Sequence, residues 1–233
     1  VLELAKKLCQ LPGVKFTGIY AHEVEGENLT MEGMREATFK TASLMTETAK
    51  MLKDEGIAIE HVSMGASNTF PSTCRYIKEG KFPEITELHP GNCIIGDIGY
   101  MKILANTRES CAVTVLTTVT STAHSDYAMI DAGYKTLGAD CNIDHRNEPG
   151  FFWKDMPSYG SIQGHPDLWL GSLSAETSHV FYINPAKKLK LGERLEIVPN
   201  NATLVNNLHD KLYGVRNGMV EREFVVTGRG RGL

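Results

Sequence analysis

The sequence predicts an α/β region followed by a mostly antiparallel all-β region. Three observations predict it. Helical and strand-like spacings alternate over residues 1–105. From residue 106 onward, β-branched runs separated by turn residues take over. The stretch KLYGVRNGMVEREFVV places Asn217-Gly218 between two alternating segments, where a type I′ turn needs two positive φ angles. Alternating strands and helices imply a parallel sheet or part of a (β/α) barrel.

In chain order, Leu4, Leu8 and Leu11 recur at helical spacing, and Pro12-Gly13 ends that helix. VKFTGIYAH reads as a buried strand. Residues 31–53 read as a long helix with Met34, Ala42, Met45, Ala49 and Leu52 near one face, and Gly56 sits where a left-handed cap suits glycine. IAIEHVSMG is the next strand and runs into the small-residue loop GASNTFPST. A short helix or turn follows around Arg75–Lys81, and ITELHPGNCIIGD reads as a strand interrupted by a Pro-Gly turn. CAVTVLTTVTST, YAMIDAG, SHVFYINP and LGERLEIVPN then read as strands of the β region.

Composition excludes several classes. With 233 residues, 42% hydrophobic and 22% charged, the chain is neither disordered nor collagen-like. A formal charge of −4 argues against nonspecific nucleic-acid binding. No stretch approaches the roughly 20 apolar residues that span a bilayer, and no basic-then-apolar leader is visible. Cys9, Cys74, Cys93, Cys111 and Cys141 are odd in number and lack a CxxC, so they read as buried, reduced thiols of a cytoplasmic protein. The chain starts at Val1 inside a helical pattern, without an initiator Met.

Two loops carry the first chemical signal. Gly65-Ala66-Ser67-Asn68-Thr69 follows a strand, and its backbone N–H groups and hydroxyls suit an anion such as phosphate. Pro90-Gly91-Asn92 follows the next strand and adds further N–H donors. His22 ends the strand VKFTGIYAH, with Tyr20 two residues earlier on the same face. In a parallel sheet, that strand end faces the usual site, although such a His equally suits a backbone carbonyl partner. Glu25 and Glu27 lie in an acidic loop of the kind usually solvated. His124, His145, His165 and His179 lack metal spacing and read as surface or structural, and Trp153 and Trp169 read as packing residues.

KFTGIYAHE, VSMGASNT, ELHPGNCIIGD, IDAGYKTL and LGERLEIVPNNATLVNNLHDKLYGVRNG, in that order, resemble the D-threonine aldolase and D-serine dehydratase family. The resemblance covers essentially the whole chain, and Leu191 to Gly218 is its most specific part. These are pyridoxal-phosphate enzymes of the alanine-racemase-like fold type, a (β/α)8 barrel followed by a β domain. The resemblance implies that residues 1–105 are the C-terminal part of that barrel and 106–233 the β domain. It implies that the barrel half bearing the Schiff-base lysine is absent from this chain. Lys135 matches a family lysine, but not that one.

Carried over position by position, the resemblance puts His22 beside the cofactor ring. Gly65, Ala66 and Ser67 fall in the first phosphate loop, and Gly91 and Asn92 in the second. Two positions depart. The family's HEGH run is His22-Glu23-Val24-Glu25 here, so Glu25 stands at the second His and becomes the candidate base. The family's metal pair falls on Asn201 and Thr203, whose neutral oxygens hold zinc poorly and suit at most a weakly bound hard cation. The implied activity is aldol cleavage or dehydration of a small D-β-hydroxy amino acid. A racemase, or a non-catalytic cofactor-binding paralogue, is the alternative. A homodimer is implied, and neither nucleic acid nor membrane is an expected partner.

Overall fold

A computed structural model describes residues 1–23, 30–104, 108–141, 152–154 and 156–231. The chain divides into two compact units, Val1–Ile94 and Ile95–Leu233. The division falls ahead of the expected boundary near residue 105. The reason is local packing: Ile98 sits in one buried cluster with Cys111 and Val198, and the Asp97 carboxylate accepts the Ala202 N–H.

The first unit alternates helix and strand. Its elements are α1 (Leu2–Leu8), β1 (Gly18–Ala21), α2 (Met31–Asp54), β2 (His61–Met64), α3 (Phe70–Lys78) and β3 (Glu87–Leu88). The strands form a parallel sheet in the order β1-β2-β3, with Tyr20 opposite Ser63 and Ser63 opposite Glu87. Thr30 caps α2 by accepting the Gly33 N–H, and Gly56 adopts φ 76° just beyond the helix. Met34, Thr38, Ala42, Met45, Ala49 and Leu52 are the buried stripe of α2, three or four residues apart. Ala42, Met45 and Ala49 pack with Val62, Met64 and Ile85 from the sheet side. The early helix is shorter than expected, and α3 starts at Phe70, earlier than the expected turn at Arg75.

The expected buried strand VKFTGIYAH needs correcting. Only four of its residues are strand, and none of them is buried. β1 is an edge strand whose Ile19 and Ala21 pack partly on the α2 cluster, while Tyr20 faces the other way and is 59% exposed. Gly18 is required there, because a Cβ would stand 2.0 Å from the His61 carbonyl oxygen.

The second unit opens with α4 (Ile98–Leu104) and continues through β4 (Val115–Ser121), β5 (Tyr127–Ile130) and α5 (Tyr134–Leu137). Then come β6 (Phe152–Trp153), β7 (Met156–Pro157), β8 (Gly160–Ile162), β9 (Leu168–Leu173) and β10 (Ser178–Tyr182). The chain finishes with β11 (Arg194–Pro199), α6 (Ala202–Leu208), β12 (Lys211–Arg216) and β13 (Met219–Val225). Six strands pair antiparallel in the order β8-β11-β4-β5-β10-β9. The sheet nearly closes on itself, since the Tyr159 N–H beside β8 donates to the Leu170 carbonyl of β9. Its inward residues, Val119, Ile130, Leu170, Val180 and Ile197 among them, form one apolar core. The hairpin β12–β13 turns at Asn217 (φ 52°) and Gly218 (φ 75°), the two positive angles expected of its sequence. Among the described residues, no helix is long and apolar enough to cross a membrane.

The thiols differ from expectation. All five cysteines are free, but Cys111 alone is buried and Cys9 is exposed. Burial pushes the Cys111 thiol up to about 11, so it stays protonated at neutral pH. Trp169 is buried against Trp153 and Phe181, as packing residues should be. His124 and His179 lie against Tyr127, while His145 falls outside the described residues.

Candidate active site at the strand ends of the parallel unit

The C-terminal ends of β1, β2 and β3 gather a set of polar side chains. β1 delivers Tyr20 and, just past its end, His22 and Glu23. The His22 Nδ1–H donates to the Glu23 carbonyl oxygen at 3.1 Å, the backbone partner expected as one reading of this residue. Because a carbonyl only accepts, Nδ1 carries the proton and Nε2 of the neutral ring is left as an acceptor.

β2 ends in the loop Gly65–Thr69, every residue of which is buried. Gly65 adopts φ 148°, and a Cβ there would stand 2.9 Å from the His89 backbone nitrogen. The loop leads straight into the N-terminus of α3, where the helix dipole favours negative charge. Thr69 is the N-cap residue but makes no capping hydrogen bond. Its hydroxyl turns back into the loop, accepting the Ala66 N–H at 3.3 Å and donating to the Ala66 carbonyl.

The turn after β3 meets this loop through Ser67. The Cys93 N–H donates to Ser67 Oγ at 3.4 Å. A Cβ on Gly91 would stand 2.9 Å from the same oxygen, so a larger residue there would push the Ser67 hydroxyl aside. Gly65, Ala66, Ser67, Gly91 and Asn92 thus belong to two adjoining loops. Tyr20 packs edge-to-face on His89, with ring centroids 5.2 Å apart, and the His89 ring is hydrogen-bonded to Ser63 Oγ.

Three residues escaped sequence reasoning: Ser63, His89 and Glu23. For His89 the signal was present, since it ends its strand before a Pro-Gly turn as His22 ends the first strand. Glu23 is 1% exposed, and neither carboxylate oxygen has a hydrogen-bond partner among the described residues. Burial pushes its pKa above the usual carboxylate range. Glu25 lies outside the described residues.

Asn201 and Thr203 belong to the second unit. Asn201 is the N-cap of α6: its Oδ1 accepts the Leu204 N–H and its Nδ2 donates to Asp140, both at 3.1 Å. An amide engaged at both ends does not fit a metal ligand. Thr203 lies in the first turn of α6, and His209 turns its Nε2 to the Thr136 carbonyl. Among the described residues, no group of three His, Cys, Asp or Glu side chains is placed to hold a metal ion. Lys135 pairs with Glu176 at 2.7 Å on the surface.

A parallel β/α unit followed by a mostly antiparallel β unit recurs in solved structures. A solved D-threonine aldolase from Filomicrobium marinum shares this fold at a TM-score of 0.77 and 22% identity, covering 100% of this chain and 58% of that one. Residues 112–215 match the family described as "Putative serine dehydratase domain". The chain is 27% identical to a 3-hydroxy-D-aspartate aldolase of Paracoccus denitrificans, with 100% of this chain and 56% of that protein aligned. It is 28% identical to a D-threonine aldolase of an Arthrobacter species, at 99% and 56% coverage. It spans about half the length of the curated relatives it matches.

Proposed function

We infer that the protein is a pyridoxal-phosphate-dependent lyase acting on small D-β-hydroxy amino acids, by aldol cleavage or dehydration. The observation that carries this reading is the pair of loops joined at Ser67 beside Tyr20, His22 and His89. The Gly65–Ser67 and Gly91–Asn92 loops would hold the cofactor phosphate, aided by the N-terminus of α3. Tyr20 and His22 would stand beside its ring. When bound, the cofactor withdraws electrons from the substrate Cα. The chain's own residues then orient and move protons: His22, its Nδ1–H held by the Glu23 carbonyl, offers Nε2 as an acceptor.

Glu25 is a second candidate base. In the full chain, Glu25→Gln is expected to lose turnover and keep cofactor; unchanged turnover would remove Glu25 from the reaction. Metal assistance is not part of this reading, because Asn201 is a cap. That same observation favours a second reading, a racemase or a non-catalytic cofactor-binding paralogue. The five free thiols support a cytoplasmic location, and a homodimer completes the proposal.

The test is direct. The full-length protein with pyridoxal phosphate should show a visible absorption band that borohydride bleaches, and should release an aldehyde or a 2-oxo acid from a D-β-hydroxy amino acid. Racemisation without release supports the second reading, and no band at all removes both enzymatic readings.

A further inference from the structure

Three strand ends finish in one row. Ala21, Met64 and Leu88 are the last paired residues of β1, β2 and β3. His22, Gly65 and His89 follow them, one on each strand. The ladder carries on into this row: the Gly65 N–H donates to the Ala21 carbonyl at 3.3 Å, and the His89 N–H to the Met64 carbonyl at 3.2 Å. Two imidazoles therefore flank a glycine, with their Cα atoms two strand spacings, roughly 10 Å, apart. The middle position carries no side chain, and both histidines are exposed.

The two rings present opposite tautomers. His22 donates its Nδ1–H to the Glu23 carbonyl, which leaves Nε2 as an acceptor. His89 is held from its other end, because its Nε2 is hydrogen-bonded to Ser63 Oγ. Ser63 is 5% exposed, and that ring nitrogen is the sole partner of its hydroxyl among the described residues. A buried hydroxyl hydrogen without an acceptor is costly, so Ser63 donates and Nε2 accepts. In the neutral ring the proton of His89 then sits on Nδ1, which has no partner among the described residues. Tyr20 packs edge-on against this ring, with centroids 5.2 Å apart. One acceptor and one donor across an empty position match a group that both donates and accepts, which is a hydroxyl. A carboxylate would meet the Nε2 lone pair, and an ammonium would meet the Nδ1–H.

We propose that His22 and His89 are a specificity-determining pair that grips the β-hydroxyl of the substrate. The hydroxyl donates to His22 Nε2, and its oxygen accepts the His89 Nδ1–H. This rests on the lyase reading above, and it selects, among small D-amino acids, those with a hydroxyl on Cβ.

The test uses the full-length protein loaded with pyridoxal 5′-phosphate. The rapid shift of its visible band on mixing, before turnover, gives dissociation constants for D-serine and for D-alanine, which lacks the hydroxyl. Two hydrogen bonds should make D-serine bind about tenfold more tightly or better. The amide of Asn reaches where Nδ1 lies and that of Gln where Nε2 lies, so the two positions should respond oppositely. His89→Asn keeps the donor toward the hydroxyl and should keep the preference; His89→Gln keeps only the Ser63 contact and should lose it. His22→Gln should keep the preference; His22→Asn keeps only the Glu23 carbonyl contact and should lose it. A purely structural role gives the reverse order, with His89→Gln and His22→Asn tolerated, and overturns the proposal. Loss of the preference in all four variants, or its retention in all four, overturns it too. Equal binding of D-serine and D-alanine by the wild type overturns the pair and leaves the lyase reading standing. No visible band, or a band that neither amino acid shifts, overturns the lyase reading and the pair with it.

Discussion

Two carboxyl groups, each 1% exposed, separate the two units of this chain. Asp97, in the antiparallel unit, accepts the Ala202 N–H at 2.9 Å and the Tyr100 N–H at 3.1 Å. Glu23, at the strand ends of the parallel unit, accepts no hydrogen bond among the described residues. Burial pushes both pKa values above the usual carboxylate range; backbone N–H groups of Ala202 and Tyr100 act against the rise at Asp97, and the backbone N–H of Glu23 with the Thr69 and Thr73 hydroxyls acts against it at Glu23. Other buried polar groups of the second unit also bond to the backbone, although Trp169 Nε1, Asn200 Oδ1 and Asn206 Oδ1 have no partner among the described residues. The Asn200 Nδ2 donates to the Asp140 and Ser158 carbonyls, and Ser178 holds the Ala132 carbonyl. Polar groups there hold the backbone in place. In the first unit, both Glu23 carboxylate oxygens lack a partner among the described residues, as does Thr46 Oγ1.

Four substitutions break or sharpen this contrast. The largest effect belongs to the apolar core of the second unit: Leu170→Ala, at a fully buried position, should cost about 2–5 kcal/mol, read as a lower denaturant midpoint. Asp97→Ala should cost about 2–3 kcal/mol, because it leaves two backbone N–H groups without their acceptor. Asn201→Ala removes the α6 cap and should cost about 1 kcal/mol, with faster amide exchange at Leu204. Glu23→Gln should change stability at neutral pH by less than about 1 kcal/mol, since no hydrogen bond from the described residues to its oxygens is lost. A cost for Glu23→Gln equal to that of Asp97→Ala would erase the contrast.

The pH dependence sharpens it further. A carboxyl whose pKa is raised on folding binds more protons in the native than in the unfolded state over the interval between the two values. Its contribution is therefore fully present below the ordinary carboxylate pKa and is lost as pH rises through the raised one. Glu23→Gln should flatten this fall in a denaturation series across that interval. An unchanged slope would mean that Glu23 is ionised in the native protein.

The fold class was legible because its cues are local. The α2 stripe from Met34 to Leu52 and the Asn217-Gly218 turn are written in spacing and turn chemistry. α6 was not read, because its start depends on Asn201 capping and on a carboxylate from Asp97, distant in sequence. The buried reading of β1 failed because burial depends on what covers a strand, and Tyr20 faces away from α2. At the site, the glycine loops were readable from composition. Glu23 was not: a glutamate in an acidic stretch reads as solvated until its burial under Thr69 and Thr73 is seen. His89 carried a local cue at its strand end, but its partners, Ser63 and Tyr20, are brought together only by the sheet.

The central claim is that the two loops meeting at Ser67 hold a phosphate group. It is tested most directly by comparing the affinity of the full-length protein for pyridoxal 5′-phosphate and for pyridoxal, which lacks that group. With each charge-assisted hydrogen bond contributing roughly 1.5–3 kcal/mol, the phosphate ester should bind about a hundredfold more tightly or better, and Ser67→Ala should narrow the gap. Equal affinity for the two compounds, in wild type and Ser67→Ala alike, would contradict the account.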